Sequence, residues 1–266
     1  MYSSFVKQKF DKNTIHTEAK CFGILNLTPD SFSDGSGDFA SWDYQQVCLE
    51  NLAKLSVDYI DLGAQSTRPG AKQITDQEEL ERLLPFLARY AGNFALSLDS
   101  YKPLVIKEAL AASKQIKFIN DVTGLQNPKL LEQVADTELK LIAMHYKDSM
   151  PPVAAKDLPD DFYDRGLERD LMEFFTKTLK FCEDFGIAQE RVILDPGFGF
   201  AKNLNHSLEL VNLIPKLKPE FGLPVFVGSS RKSFLKLWQP GKELDEATLE
   251  FNEKLTDIDF FRMHGT

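Results

Sequence analysis

The sequence contains little cysteine. Its three cysteines, Cys21, Cys48 and Cys182, are far apart among 266 residues and form no Cys-x-x-Cys pair. An odd number at this spacing argues against a disulfide framework, and it does not match the ligand spacing of a structural zinc site. We therefore predict three free, buried thiols in a reducing cytoplasm.

Basic residues are also in deficit. The chain carries 31 Lys and Arg against 40 Asp and Glu, which gives a formal net charge of −9. A protein that binds nucleic acid needs a basic face, so we expect no nucleic-acid partner. If the substrate is an anion, a few locally placed Arg and Lys side chains must overcome the negative field of the whole chain.

Long hydrophobic segments are missing as well. No apolar run approaches the roughly 18–20 residues that span a bilayer, so we expect no membrane partner. Residues 1–20 are polar and of mixed charge, unlike a signal peptide. Hydrophobic residues make up 43% and charged residues 27% of the sequence, which is ordinary for a domain with one large core. The length suits a single domain over residues 1–266.

Eight short apolar runs recur along the chain, and helical periodicity follows most of them. The runs are Cys21–Leu25, Val57–Leu62, Phe94–Leu98, Ile116–Ile119, Leu139–Met144, Val192–Leu194, Leu223–Val227 and Ile258–Phe261. Their near-continuous hydrophobicity is typical of parallel strands that helices cover. Eight strand–helix units favour a closed (β/α)8 TIM barrel over an open doubly wound sheet.

Helix signals lie between the runs. Thr75–Glu78 resembles a capping box that opens a helix toward Tyr90. Further helices are predicted over Leu104–Ala112, Pro128–Ala135 and Phe162–Phe185, the last after a polar, Pro-rich loop. The printed sequence stops at Thr266, soon after the eighth run, so we expect a barrel without its last helix.

Polar side chains follow nearly every apolar run. Because the active sites of such barrels lie at the carboxyl ends of the strands, we expect these side chains to share one rim. They include Asn26, Asp99, Asn120, His145, Asp195, Ser230, Lys232, Arg262 and His264. Each has a plain structural explanation, since an Asp at a strand end often caps a helix and Arg262 could pair with a neighbouring Asp. Their convergence on one face favours a binding site.

The residue types at this rim suit a flat heterocycle with an anionic group. Asp99, Asn120 and Asp195 offer acceptors and one amide, which match the adjacent donors of a 2-amino-4-oxo pterin edge. Arg262, His264 and Lys232 can bind a phosphate or a carboxylate. The set contains no nucleophile beside an activating base, so covalent catalysis is not expected.

The motifs that contain these residues resemble those of the dihydropteroate synthase family. The first is Gly23–Gly35, which reads GILNLTPDSFSDG, and the second is Asp61–Gly70, which reads DLGAQSTRPG. The further matches are Leu98–Lys102, Ile119–Gly124, Met144–His145, Asp195–Phe200, Gly228–Ser233 and Arg262–His264. They follow the family's order across residues 23–264, so the resemblance is specific and covers almost the whole chain.

The resemblance implies a pterin-binding transferase of folate biosynthesis. In that reaction 6-hydroxymethyl-7,8-dihydropterin pyrophosphate loses pyrophosphate, and the amine of p-aminobenzoate bonds to the exposed methylene carbon. The product is 7,8-dihydropteroate, and Mg²⁺ is the implied cofactor. Sulfonamides compete for the p-aminobenzoate pocket in this family. The resemblance also leaves a homodimer open.

The resemblance further implies roles for individual residues. The pterin is bound by Asp99, Asn120, Asp195 and Lys232, and its pocket is lined by Met144. Gly199 and Phe200 also contact substrate. The pyrophosphate and Mg²⁺ are held by Asn26, Arg262 and His264, with Asn26 as the metal ligand. The p-aminobenzoate pocket and its closing loops comprise Phe32, Asp34, Ser66, Thr67, Arg68, Pro69, Ser230 and Lys232. The implied catalytic set is Asp34, Lys232, Arg262 and His264, with Asp34 at the cationic centre.

The chain departs from the family pattern at three positions. Gln65 stands where Glu is usual, Ala201 where Gly is usual, and Gly265 where Asp is usual. Two other functions share part of the pattern. A methyltetrahydrofolate-dependent methyltransferase has the Asp/Asn/Asp set but no need of the first loop or of Ser230–Ser233. A non-catalytic pterin-binding relative is suggested by Gln65 and by the early end of the printed sequence.

Overall fold

The fold is a closed barrel of eight parallel strands. The computed structural model describes residues 18–28, 41–67, 71–147 and 158–264. The strands are β1 (Lys20–Asn26), β2 (Tyr59–Gly63), β3 (Ala95–Asp99), β4 (Ile116–Asp121), β5 (Lys140–Met144), β6 (Val192–Asp195), β7 (Phe226–Val227) and β8 (Phe260–His264). Their order is β6-β5-β4-β3-β2-β1-β8-β7. A parallel bridge between Leu194 and Val225 joins β6 to the start of β7 and closes the ring, which confirms the predicted barrel.

Helices alternate with the strands. In the described ranges they are α1 (Trp42–Lys54), α2 (Asp76–Arg89), α3 (Pro103–Ala112), α4 (Pro128–Val134), α5 (Leu167–Asp184), α6 (Leu204–Phe221), α7 (Phe234–Trp238) and α8 (Leu244–Asn252). Every strand from β1 to β7 is followed by a helix, and both α7 and α8 lie between β7 and β8. Each helix returns the chain to the amino-terminal end of the barrel, so that the next strand can run parallel to the one before it.

The capping box at the start of α2 is confirmed. The Thr75 hydroxyl accepts from the backbone N–H of Glu78 at 3.1 Å, and the Glu78 carboxylate accepts from the Thr75 N–H at 2.7 Å. The predicted start of the helix before β6 is wrong. Residues Asp160–Phe162 form one 3₁₀ turn, and α5 begins only at Leu167. Gly166 stands between them with φ 85°, a conformation through which a right-handed helix cannot run.

Aromatic side chains fill the amino-terminal half of the barrel interior. Phe22 of β1 packs with ring-centroid distances of 5.0 Å to Phe118 and 5.2 Å to Phe226. Ile142 and Ile193 complete this interior cluster. A larger core lies between the strands and the helices. Because apolar groups occupy the lower interior, the inward-facing polar groups are confined to its carboxyl-terminal half.

The three cysteines are free, as predicted, but only two of them are buried. Cys48 and Cys182 are buried, Cys21 is half-buried, and all three are free. Burial raises the pKa of the Cys182 thiol to about 12, so this side chain is protonated at neutral pH. Among the helices that the structure describes, none combines the length and the apolar character that crossing a bilayer demands.

Candidate active site

The predicted rim residues lie at one end of the barrel. Asn26, Asp99, Met144 and Asp195 are the last residues of β1, β3, β5 and β6. Asn120 is the last but one residue of β4, and Arg262 and His264 belong to β8. Since all eight strands are parallel, these side chains gather at the carboxyl-terminal opening.

Arg262 links two carboxylates inside this opening. Its Nε donates to Asp61 Oδ2 and its Nη2 to Asp99 Oδ2, both at 2.5 Å. Asp61 is fully buried and Asp99 is 8% exposed. Burial raises the pKa of Asp99, and the Arg262 guanidinium opposes this shift by favouring the carboxylate. The resemblance assigned Arg262 to the pyrophosphate, whereas two of its nitrogens in this structure are committed to carboxylates of the barrel.

Asp61 is a site residue that the sequence reasoning missed. Its Oδ2 also accepts from Asn120 Nδ2 at 3.1 Å, so one oxygen atom positions both Asn120 and Arg262. Asp61 lies within the second apolar run rather than after it, and reading only the strand ends passed over it. The available signal was a charged residue inside an otherwise apolar strand, two residues before the strand-end Gly63 and therefore on the same face.

Gly63 leaves the space in which two rim residues approach one another. A Cβ atom at this position would lie 3.1 Å from Asn26 Oδ1 and 3.6 Å from Asp99 Oδ2. Glycine at the end of β2 therefore lets side chains of β1 and β3 converge on the same part of the opening.

The turn after β6 holds Asp195. The backbone N–H of Gly197 donates to Asp195 Oδ1 at 2.8 Å. Burial raises the pKa of Asp195 to about 6, opposed by this hydrogen bond and by the charge of Lys232. Gly197 has φ 74°, and a Cβ there would lie 2.2 Å from the carbonyl oxygen of His145. The turn therefore requires glycine both for its conformation and for its contact with the end of β5.

Ala201 adopts a left-handed conformation, with φ 49°. The departure from glycine therefore restricts the backbone as expected, since an alanine in this region is strained. Tyr163 holds the residue in place by donating from its hydroxyl to the Ala201 carbonyl at 2.8 Å.

An apolar wall borders the carboxylates. Met144 is 2% exposed and packs with Val122 and Phe200. Lys232 Nζ lies 4.1 Å from the centroid of the Phe200 ring, a cation–π distance. Gly199 lies against the Lys232 side chain, since a Cβ there would approach Lys232 Cδ to 3.1 Å. The site thus combines acceptors, one ammonium group and a flat apolar surface.

Ser230 and His264 form a pair at the β7–β8 side of the opening. Ser230 Oγ lies 3.0 Å from His264 Nδ1, and it also accepts from the His264 backbone N–H at 3.2 Å. Arg231, between Ser230 and Lys232, instead makes a two-point ion pair with Asp245, at 2.6 and 3.1 Å. Ser230 and Lys232 are therefore the members of this segment that belong to the site.

Both closing loops are only partly within the described ranges. Ser66 and Thr67 are half-buried residues just after β2. Phe32, Asp34, Arg68 and Pro69 lie outside the described residues. Gln65 lies within the described ranges and makes two hydrogen bonds. Its Nε2 donates to Tyr101 Oη at 2.8 Å and to Gln73 Oε1 at 3.0 Å. The amide at this position thus ties the start of the second loop to its later part at Gln73 and to Tyr101, which lies between β3 and α3.

The oxygen ligands at the carboxyl-terminal opening suit a magnesium ion that is shared with the phosphates of a substrate. Within residues 18–28, 41–67, 71–147 and 158–264, no group of three or more His, Cys, Asp or Glu side chains could hold a metal ion. Mg²⁺ commonly binds to one or two protein oxygens and to the phosphates of the substrate. The amide oxygen of Asn26 suits that mode and not an all-protein cage.

The family model described as pterin binding enzyme matches residues 22–256. The chain is 38% identical over 216 residues to the dihydropteroate synthase of Escherichia coli strain K12, covering 80% of this chain and 73% of that protein.

Solved structures give the same result. The Yersinia pestis dihydropteroate synthase, in a sulfonamide drug complex, superposes with a TM-score of 0.79 and 32% identity, covering 94% of this chain and 90% of the other. The Xanthomonas albilineans dihydropteroate synthase with 4-aminobenzoic acid superposes with a TM-score of 0.78 and 30% identity, covering 92% and 87%.

Proposed function

The chain belongs to the pterin-binding enzyme family, and from this premise we propose how its rim residues divide the work of the reaction. Its function is that of a dihydropteroate synthase, a transferase of folate biosynthesis. The enzyme condenses 6-hydroxymethyl-7,8-dihydropterin pyrophosphate with p-aminobenzoate and releases pyrophosphate. The observation that carries the division of roles is the convergence of Asp99, Asn120 and Asp195 at one opening.

The pterin end is assigned to three oxygen acceptors. Asp99 Oδ2 is held by Arg262, and the Asn120 amide nitrogen is held by Asp61, so Asp99 Oδ1 and Asn120 Oδ1 are assigned to the ligand. Asp195 contributes a third acceptor. Three acceptors match the N–H and amino donors along the edge of a pterin, and Met144 and Phe200 cover its face. Lys232 donates to the ring on the remaining side.

The pyrophosphate end is assigned to Asn26 and His264, with Arg262 beneath them. Asn26 would hold Mg²⁺ through its amide oxygen. When bound, the ion neutralises charge on the departing pyrophosphate. His264, positioned by Ser230, donates to a phosphate oxygen, and Arg262 adds a positive charge fixed in place by Asp61 and Asp99.

The chemical step relies on position and charge. Electron release from the pterin stabilises positive charge on the methylene carbon as the carbon–oxygen bond breaks and pyrophosphate leaves. The p-aminobenzoate amine then bonds to this carbon and loses one proton to solvent. Asp34 is assigned to the cationic centre. Phe32, Ser66, Thr67, Arg68, Pro69 and Ser230 are assigned to the p-aminobenzoate pocket, where sulfonamides would compete.

Two further assignments concern the cell and the assembly. Three free thiols, two of them buried, support a cytoplasmic location. A homodimer stays a prediction, and the mass of the native protein in solution tests it.

The assignment is tested with Asp195→Ala and Lys232→Ala. Each variant should lose at least ~100-fold in kcat/KM for dihydropteroate formation while keeping its melting temperature. The matched control is Lys236→Ala, because Lys236 is an exposed lysine on α7, four residues from Lys232. Full turnover by both site variants would remove these residues from the mechanism.

Calorimetry separates the synthase from a non-catalytic relative. The wild-type protein should bind the pterin pyrophosphate and then consume p-aminobenzoate. Binding of the first without turnover of the second would favour the non-catalytic relative.

A further inference from the structure

Lys202 is a fully buried lysine for which the reaction described above has no use. Its Nζ lies 2.9 Å from His145 Nδ1, and it donates to the carbonyl oxygens of Phe200 at 3.1 Å and of His145 at 3.3 Å. These three acceptors are uncharged. Burial lowers the pKa of Lys202 to about 7, so a small change nearby alters how often it carries a charge.

His145 connects this lysine to Asp170. His145 Nε2 lies 3.0 Å from Asp170 Oδ1, so the neutral ring donates to Asp170 and accepts from Lys202. Burial and the charge of Lys202 lower the pKa of His145 to about 3, which keeps the ring neutral. Asp170 is 23% exposed, and its carboxylate is the charged end of this buried chain.

The contacts of Lys202 lie directly beneath the pterin pocket. His145 follows Met144, and its backbone N–H donates to the carbonyl oxygen of Asp195 at 2.7 Å. Phe200 carries the ring beneath Lys232. One ammonium group therefore ties the end of β5 to the turn that directly follows Asp195.

Lys202 also interacts with Asp195 through charge. Each favours the ionised form of the other. Lys232, in the segment after β7, and Arg262 of β8 act on Asp195, while Asp170 and Lys147 act on His145. Lys202 thus belongs to the charges that decide whether Asp195 is a carboxylate at neutral pH.

We propose that Lys202 is a positioning residue of the synthase, which clamps the β6 turn to His145 and holds Asp195 ionised for the N–H donors of the pterin. The inference rests on the proposed function, because that function assigns the pterin to Asp195. A lysine that only filled space would affect stability without affecting the pH dependence of binding.

The test compares Lys202→Met with Lys140→Met. Methionine keeps the length and apolar stem of lysine and removes the charge, and Lys140 lies at the opposite end of β5, bonded to the Glu190 carbonyl. Binding of 6-hydroxymethyl-7,8-dihydropterin pyrophosphate is measured by calorimetry from pH 5 to 8.5. Wild type and Lys140→Met should lose affinity as the pH falls through about 6, where Asp195 takes up a proton.

The pH profile of pterin affinity for Lys202→Met should differ from that of wild type in its midpoint and in the affinity at a given pH. Loss of the positive charge raises the pKa of Asp195, so the midpoint should move up from about 6 by about one pH unit. The affinity should then fall about twofold at pH 7 and roughly ninefold at pH 5. Lys202→Arg, which keeps the charge, should restore the midpoint. A Lys202→Met profile that superposes on wild type overturns the inference, whereas wild-type protein that binds no pterin overturns the proposed function instead.

A second measurement needs only wild-type protein. If the charge of Lys202 favours pterin binding, pterin binding must favour the charge of Lys202 by the same factor. Titration of ¹³Cε-labelled lysine by NMR, with the Lys202 signal assigned through Lys202→Arg, should show its pKa rising on addition of the pterin pyrophosphate. An unchanged pKa overturns the inference even if Lys202→Met fails to fold.

Discussion

Asp61 supports the polar interior of the barrel through a single oxygen atom. Asn120 and Arg262 both donate to its Oδ2, and the residue is fully buried on β2. Removing one partner of a buried ion pair leaves the other charge without compensation, which costs more than the pair contributes when intact. Asp61 should therefore matter for stability as much as for the site.

Replacing Asp61 by Asn should destabilise the protein by about 3 kcal/mol, because Arg262 then loses one of the two carboxylates with which it forms ion pairs among the described residues. The free energy of unfolding in urea measures this loss. The control is Glu183→Gln, which breaks an exposed pair with Lys180 and should leave stability unchanged within error. An Asp61→Asn protein as stable as wild type would show that Asp61 does not hold Arg262.

At this scale the sequence predicts which residues follow the strands, but not which partners they find. Asp99 and Asp195 were predicted because each comes directly after an apolar run. The partners of Arg262 lie 201 and 163 residues earlier in the chain, and only the register of the closed barrel decides that they meet. Lys202 escaped notice because nothing local distinguishes it from a solvated loop lysine.

The turn after β6 is the element on which two parts of the site depend. It fixes Asp195 through the Gly197 N–H and contacts the end of β5 through His145. A side chain at Gly197 would have to displace backbone, which cannot yield in the way that a flexible side chain can.

Gly197→Ala should therefore abolish pterin binding, measured by calorimetry at pH 7. Gly222→Ala is the matched control, because Gly222 ends α6 with φ 68° but a Cβ there would meet no atom within 4 Å. The control should lose only about 1 kcal/mol of stability from its backbone conformation and should bind normally. Equal pterin affinity in the two variants would contradict the importance of the His145 contact.

Helix boundaries were predictable where the signal is local. The capping box before α2 depends on Thr75 and Glu78, three residues apart, and both hydrogen bonds form. The start of α5 was misplaced because helical periodicity gave no weight to Gly166, whose left-handed conformation depends on its surroundings. Periodicity thus indicates that a helix exists more reliably than where it begins.

Across the whole molecule, the aromatic cluster around Phe22 joins strands from opposite sides of the barrel. Phe22 on β1 contacts Tyr59, Phe118, Phe226 and Phe260, which belong to β2, β4, β7 and β8. Such contacts couple the strands into one unit. The single domain over residues 1–266, which the length of the chain suggested, stays a prediction.

Phe22→Ala should lower the free energy of unfolding by about 3–5 kcal/mol, because it leaves a cavity among rings fixed by several strands. Scanning calorimetry of wild type and variant should each show one cooperative transition, displaced to lower temperature in the variant. Two separate transitions in the wild-type protein would contradict the single-domain prediction.

The ion pairs of Arg262 also have a consequence for how the protein is made. Ribosomes add roughly 5–20 residues per second, so Arg262 emerges on the order of 10–40 s after Asp61, from which it is separated by 201 residues. Until then the nascent chain holds the carboxylates of Asp61 and Asp99 without their cation, and the edge of β1 that pairs with β8 is open. Both conditions disfavour early burial, so the barrel closes late in synthesis, and chaperones that cover open strand edges should engage the chain during that interval.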